Sequence, residues 1–365
     1  MELPKIMIYI LRVLFIIVNN FYCIPTYMLW ILTFQPLRYL QPSLYWLIEG
    51  TMYKWLLTMV GYWGWMCGHR IIEYGDDITK CLDRETLMLV NHQSTCDVPA
   101  LMYALIDKGS VINDKLWIID RDFKYSNFGW ISQCHRDFFI AQGKKNSRGD
   151  QSKQLSDHIV DHYWPLKRKW ITLYPEGGFL YKRRARSQRY AQERNLPVLE
   201  HVTLPRVGCL HTLLNLLSPN LETRKGPNPE LSNSMKPSLK YIIDLTFAYP
   251  NGKALNFADF AIGTGRSIDF ALHYRVYPAN EIPLDNEGLT KWMYDRYVEK
   301  EALLDAYYNT GKYPKIPPGH EQNKVLESPR QVLVDERWIF TLHLLFIFSS
   351  AVHYAAFRYF FSFIF

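Results

Sequence analysis

"NHQSTCD", residues 91–97, sets a histidine and an aspartate five positions apart directly after the apolar run "LMLV". An imidazole, with an ordinary pKa of about 6.5, can take a proton from a hydroxyl near neutral pH. A carboxylate on its second ring nitrogen would fix the tautomer and stabilise the imidazolium that forms. Whether His92 and Asp97 meet depends on the backbone between them. In a continuous helix from Asn91, five steps of about 100° turn Asp97 roughly 140° away from His92. If "LMLV" is a buried strand, "NHQS" a turn, and the helix starts near Ser94 or Thr95, the two side chains can touch. The same residues also read as a capping box of Ser94 and Asp97, with His92 an ordinary turn residue. Cys96 lies beside the pair as a competing nucleophile, and a small packed thiol is its simpler reading.

A second constellation starts at Trp170, in "WITLYPEGGFLYKRRARSQR". A β-rich run ends at Tyr174-Pro175, and Glu176, Gly177 and Gly178 follow. The basic cluster Lys182, Arg183, Arg184, Arg186 and Arg189 comes next. Paired glycines let a backbone approach a ligand closely and aim N–H groups at an oxyanion or phosphate, to which the cluster adds charge. A tight turn and a solvated basic loop are the competing readings. "CHRDFFIAQG" (134–143), which contains Gln142, and "HVTLPRVG" (201–208), which contains Arg206, read as two further apolar strands ending in polar or basic turns. Four such strand ends can converge on one face of a sheet. The chain has no G-x-S-x-G elbow.

The elements that must hold these residues are legible between about 70 and 280. "ETLMLVN", "KLWIID", "RDFFIA", "KWITLYP", "YIIDLTFAYP" and "ALHYRVYP" read as strands, with helical segments between several of them. That alternation predicts an α/β domain, here with a mixed, largely parallel sheet flanked by helices. "LTKWMYDRYVEKEALLDAYYNTG" (289–311) predicts a helix closed by a glycine. Residues 218–238, rich in Pro, Ser and Asn without period, read as a flexible insertion loop. The predicted layout is an N-terminal membrane anchor with interfacial helices over 1–69, the α/β domain over 70–318, and a C-terminal transmembrane helix over 338–365.

Composition supports the apolar ends. Of 365 residues, 25 are Tyr, 20 Phe and 11 Trp, and aromatics make up 15%, which suits a membrane interface. The mean hydropathy of −0.17 excludes a polytopic bundle. From Ile6 to Phe34 the only charge is Arg12, and Asn19, Asn20 and Pro25 interrupt the run. It reads either as a retained spanning anchor or as a re-entrant hairpin of two short helices. Residues 44–68, rich in Trp and Tyr, read as an interfacial helix or as a buried core helix. The net charge of +7 suits anionic partners without choosing among phospholipid, coenzyme phosphates and nucleic acid. The six cysteines show no C-x-x-C pair or His cluster, so no metal site is expected.

With these residues in view a family resemblance emerges. "NHQSTCD" resembles the N-H-x-x-x-x-D block of the glycerophospholipid (1-acylglycerol-3-phosphate) acyltransferases, "YPEGG" their F-P-E-G block, "RDFFIAQ" their second block and "VTLPR" their fourth, in order. The resemblance implies a membrane enzyme of the endoplasmic reticulum. It would move a fatty acyl group from acyl-CoA, a substrate and not a cofactor, to the free hydroxyl of a lysophospholipid such as lysophosphatidylglycerol or lysophosphatidylethanolamine. It further implies His92 as general base, Asp97 as its orienting partner, and Glu176, Gly177, Gly178 and Arg206 in substrate-binding blocks. Two departures stand out: Gln142 replaces an arginine that ends the second block, and Phe179 follows Gly178 where Thr-Arg is usual. The run of Lys182, Arg183 and Arg184 is a candidate substitute. A catalytically inactive lipid-binding or scaffold protein of the same fold is the competing reading, and a nucleic-acid binder finds no motif.

Overall fold

The computed structural model describes residues 2–141, 148–219, 238–315 and 317–362. Gln142 and nearly all of the 218–238 segment lie outside these residues. Four helices precede the sheet: α1 (Glu2–Val18), α2 (Ile24–Thr33), α3 (Gln35–Leu40) and α4 (Pro42–Met66). Strands and helices then follow as β1 (Arg70–Gly75), β2 (Thr86–Val90), α5 (Asp97–Ala104), β3 (Lys115–Asp120), α6 (Asn127–His135), β4 (Phe138–Ile140), α7 (Arg148–His158) and β5 (Trp170–Leu173). The chain continues through α8 (Leu180–Glu193), α9 (Gly208–Leu217), β6 (Tyr241–Ala248), α10 (Phe257–Ile262), β7 (Asp269–Pro278), α11 (Asn286–Thr310), β8 (Arg330–Gln331) and α12 (Glu336–Phe361).

One eight-stranded sheet runs in the order β4-β3-β5-β2-β6-β7-β1-β8. Only the β6–β7 and β1–β8 pairs are antiparallel, so the mixed, largely parallel expectation holds. All five residues of β2 are buried. Strand periodicity explains how an unbroken apolar run serves both faces. Met88 and Val90 join the core shared with α4, α5 and α10, while Leu87 and Leu89 join the one shared with α7, α9 and α11.

Six strands were legible in the sequence, while β1, "RIIEYG", was not anticipated. The segment around "VTLPR" is irregular and forms no strand. Its ladder donors are engaged elsewhere: Pro205 has no N–H, the Val202 N–H meets the Glu301 carboxylate, and the Thr203 N–H meets Glu176. The basic cluster lies on α8 and not in a solvated loop, its competing reading, and α11 ends at Gly311 with φ +72°.

Two stretches, Lys5–Thr33 and Glu336–Phe361, are long and apolar enough to cross a membrane by length and composition. The first is a continuous rod and not a hairpin. Asn19 and Asn20 enter a single π turn, and their amides donate to Phe15 O (2.7 Å) and Ile16 O (2.8 Å), carbonyls loosened by the bulge. Pro25, the second residue of α2, follows directly on that π turn. α12 runs parallel to this rod through Asn19–His343 (3.4 Å) and Thr26–Ser350 (3.1 Å). α4 is a core helix, buried from Leu56 to Gly64.

Candidate active site

β2 delivers His92 two residues beyond its last paired position. Asn91 locks that end: its Oδ1 accepts from Phe247 N (2.7 Å) and its Nδ2 donates to Phe247 O (3.0 Å), extending the β2–β6 ladder by one side chain. The chain then turns, and α5 begins at Asp97, two to three residues later than expected. This geometry brings His92 Nδ1 to 2.8 Å from Asp97 Oδ2. The same oxygen accepts the N–H groups of Gln93 (2.6 Å) and Ser94 (2.9 Å), but Cys96 is the N-cap of α5 and Ser94 Oγ accepts from Cys96 N (3.1 Å), so Ser94 and Asp97 do not form a capping box. Asp97 is fully buried and the His92 side chain is 13% exposed, so the imidazole is the part that solvent or substrate reaches.

The ring of His92 lies between Tyr174 and Phe179, with centroids at 4.3 and 4.5 Å. Its Nε2 has no protein partner among the described residues. Cys96 points elsewhere, donating to Asn256 O (2.8 Å), and burial pushes its thiol up to about 12. At neutral pH it is not a thiolate.

The turn after β5 sits beside this base. Gly177 (φ +66°) and Gly178 (φ +151°) adopt conformations that favour glycine. A Cβ on Gly177 would lie 3.2 Å from the Arg206 guanidinium, and one on Gly178 would collide with Arg183. Leu180 N donates to His92 O (2.8 Å), fixing the start of α8 against the base. Arg183 is held below its ordinary value, first by partial burial and then by Arg206 and Arg186. An anion placed among these three guanidinium groups would relieve that repulsion. Lys182 and Arg184 are exposed on the same turn of helix, with the Lys182 ammonium over the Phe179 ring at 5.4 Å.

Glu176 occupies a different position from its neighbours. It is 2% exposed; Oε1 accepts from His92 N (2.7 Å) and Oε2 from Thr203 N (3.1 Å) and Oγ1 (2.9 Å). Its carboxyl group thus ties His92 to the "VTLPR" segment. Burial pushes Glu176 up to about 8, against the three donors that favour its charge. A carboxyl whose folded pKa is raised contributes stability below its unfolded pKa, and that contribution is lost as pH climbs through about 8. The expected result is a wild-type Tm that falls between pH 5 and 8 by more than that of Glu176→Gln, measured in detergent. Parallel Tm curves would show that Glu176 does not titrate in this range.

Two residues that hold the His92–Asp97 pair lie outside every motif read from the sequence: Asn91's partner Phe247, and Tyr249, whose hydroxyl donates to Asp97 Oδ1. Only the register that places the end of β6 beside the end of β2 could have flagged Phe247 and Tyr249.

The structure thus sets an imidazole–carboxylate pair at the strand ends of an open α/β sheet, flanked by guanidinium groups. The acyltransferase C-terminus family matches residues 263–340. Acyl-CoA:lysophosphatidylglycerol acyltransferase 1 of Homo sapiens is 41% identical over 355 residues, spanning 96% of this chain and 94% of the relative. Lysocardiolipin acyltransferase 1 of Mus musculus is 25% identical over 304 residues, spanning 80% and 73%. The structure of PlsC, the 1-acyl-sn-glycerophosphate acyltransferase of Thermotoga maritima, aligns with a TM-score of 0.41 at 10% identity, over 79% of this chain and 97% of that one. The chain belongs to the glycerophospholipid acyltransferase family, and it is an acyltransferase.

Proposed function

We propose that the chain transfers a fatty acyl group from acyl-CoA to the free hydroxyl of a lysophospholipid at the endoplasmic reticulum membrane, with His92 as general base oriented by Asp97. The observation that carries this reading is the 2.8 Å contact between His92 Nδ1 and Asp97, which leaves Nε2 free for a hydroxyl. The lipid oxygen attacks the thioester carbonyl carbon as Nε2 takes its proton. Collapse of the tetrahedral intermediate breaks the C–S bond, and His92 returns the proton to the departing thiolate. No acyl-enzyme is needed. Gly177, Gly178, Arg183 and Arg206 form the anion-binding side, Lys182 and Arg184 its outer rim, and Glu176 contributes by holding His92 and not by touching substrate.

Lysophosphatidylglycerol and lysophosphatidylethanolamine are the acceptors proposed. The test is transfer from a radiolabelled acyl-CoA to a panel of lysophospholipids, using membranes bearing wild type and Asp97→Asn. Wild type should acylate one of the two in preference to other headgroups. Asp97→Asn should lose about 100-fold or more, because an amide offers the imidazole the wrong tautomer. A wild type that binds lysolipid without transferring acyl groups would instead establish the scaffold reading.

A further inference from the structure

Tyr249 is the residue after β6, the strand that pairs with β2 in parallel. The Asn91–Phe247 clasp locks the two strand ends together, one position before His92 and two before Tyr249. The Tyr249 side chain is fully buried, its ring packed on Phe247 and Phe270 at 5.3 and 5.4 Å. Its hydroxyl donates to Asp97 Oδ1, the oxygen that does not face His92. Asp97 Oδ2 takes His92 Nδ1 and the N–H groups of Gln93 and Ser94. Among the described residues Tyr249 is the one donor to Oδ1. A carboxylate held this way has one rotamer.

We infer that Tyr249 is a positioning residue for the general base: its hydroxyl fixes the Asp97 carboxylate and sets how much of its charge acts on the His92 imidazole. This rests on the proposed role of His92. A donor on Oδ1 draws electron density away from Oδ2, so the imidazolium is held less tightly and the ring returns to its basic form more readily. The other titratable and charged groups facing the pair are Glu176 beneath the His92 N–H, Tyr174 on the ring, Lys182 over Phe179, Cys96 beside Asp97, and Tyr308 on Gln93. None of these bonds to Asp97 Oδ1.

Removing the hydroxyl in Tyr249→Phe leaves the full charge on Asp97, so His92 holds its proton to higher pH. The acid limb of kcat/KM should move up by about 0.5–1 pH unit, with kcat at neutral pH down about 3–10-fold and KM within about twofold. Site-specific replacement of Tyr249 by 3-fluorotyrosine, whose phenol is a stronger donor of nearly unchanged size, should move the limb the other way. The titration of His92 is read independently by its carbethoxylation with diethylpyrocarbonate against pH, followed by peptide mass mapping. Opposite shifts in the two variants support the assignment. His92 titrating at the same pH in wild type and both variants overturns it, whatever the activities. Absence of transfer by the wild type would overturn the functional reading alone, since the carbethoxylation still decides the role of Tyr249.

Discussion

His92→Ala is expected to lower kcat by about 10²–10⁴-fold with the acceptor KM changed less than about threefold. The argument is one of placement. Nδ1 is committed to Asp97 at 2.8 Å, the ring is clamped between Tyr174 and Phe179, and the Nε2 edge is the part of the pair open to a hydroxyl. In the proposed mechanism truncation removes the proton acceptor and leaves the proposed anion-binding side with Arg183 and Arg206 in place, so the loss should fall on the chemical step. Single-turnover transfer by purified protein at saturating acceptor measures it. Cys96→Ala, by contrast, should keep activity within about threefold, because its buried thiol faces Asn256 O. Activity surviving in His92→Ala and lost in Cys96→Ala would reverse the mechanism.

The second large effect is on stability. Glu49→Ala is expected to cost about 3–5 kcal/mol, seen as a Tm lowered by about 5–10 °C. Glu49 lies on α4, fully buried, and accepts from Tyr27 OH (2.8 Å) on α2 and from His135 Nδ1 (2.9 Å) at the end of α6. The Arg168 guanidinium stands 3.6 Å away. His135 Nε2 in turn faces Lys115 O (3.1 Å), and Tyr53 of α4 stacks on the His135 ring at 3.4 Å while donating to Asp137 (3.1 Å). This network ties α2 and α4 to α6 and β3. Deleting the carboxylate leaves the buried Tyr27 hydroxyl and His135 Nδ1 without that partner and takes a countercharge from the Arg168 guanidinium, which is where the cost arises. Thermal unfolding in detergent checks it; a Tm within about 2 °C of wild type would show that water or rearrangement replaces Glu49.

The apolar runs determined most of the sheet, because a strand buried on both faces has to be apolar throughout and leaves a continuous signature, as in "TLMLV" and "YIIDLTFA". "RIIEYG" escaped because Arg70 and Glu73 break that signature: Arg70 is exposed and pairs with Asp269, while Glu73 is buried against Lys108 and Arg330. The "VTLPR" segment failed in the opposite sense. It is apolar enough for a strand, but distant carboxylates take its N–H groups.

For the site, residue order alone shows which residue types stand at a strand end: a histidine and an acid with a turn between them, two glycines, and a run of cations. Those are local facts, carried by spacing and turn chemistry. The meeting of His92 with Asp97 required the helix to start beyond His92, as it does at Asp97, since a helix from Asn91 would have turned the pair apart. Only the tertiary structure decided the rest. Glu176 serves as a brace because Thr203, 27 positions on, folds against it, and Tyr249 reaches Asp97 because β6 pairs beside β2. Contacts across such separations depend on strand order and register, and no short stretch of residues encodes either one.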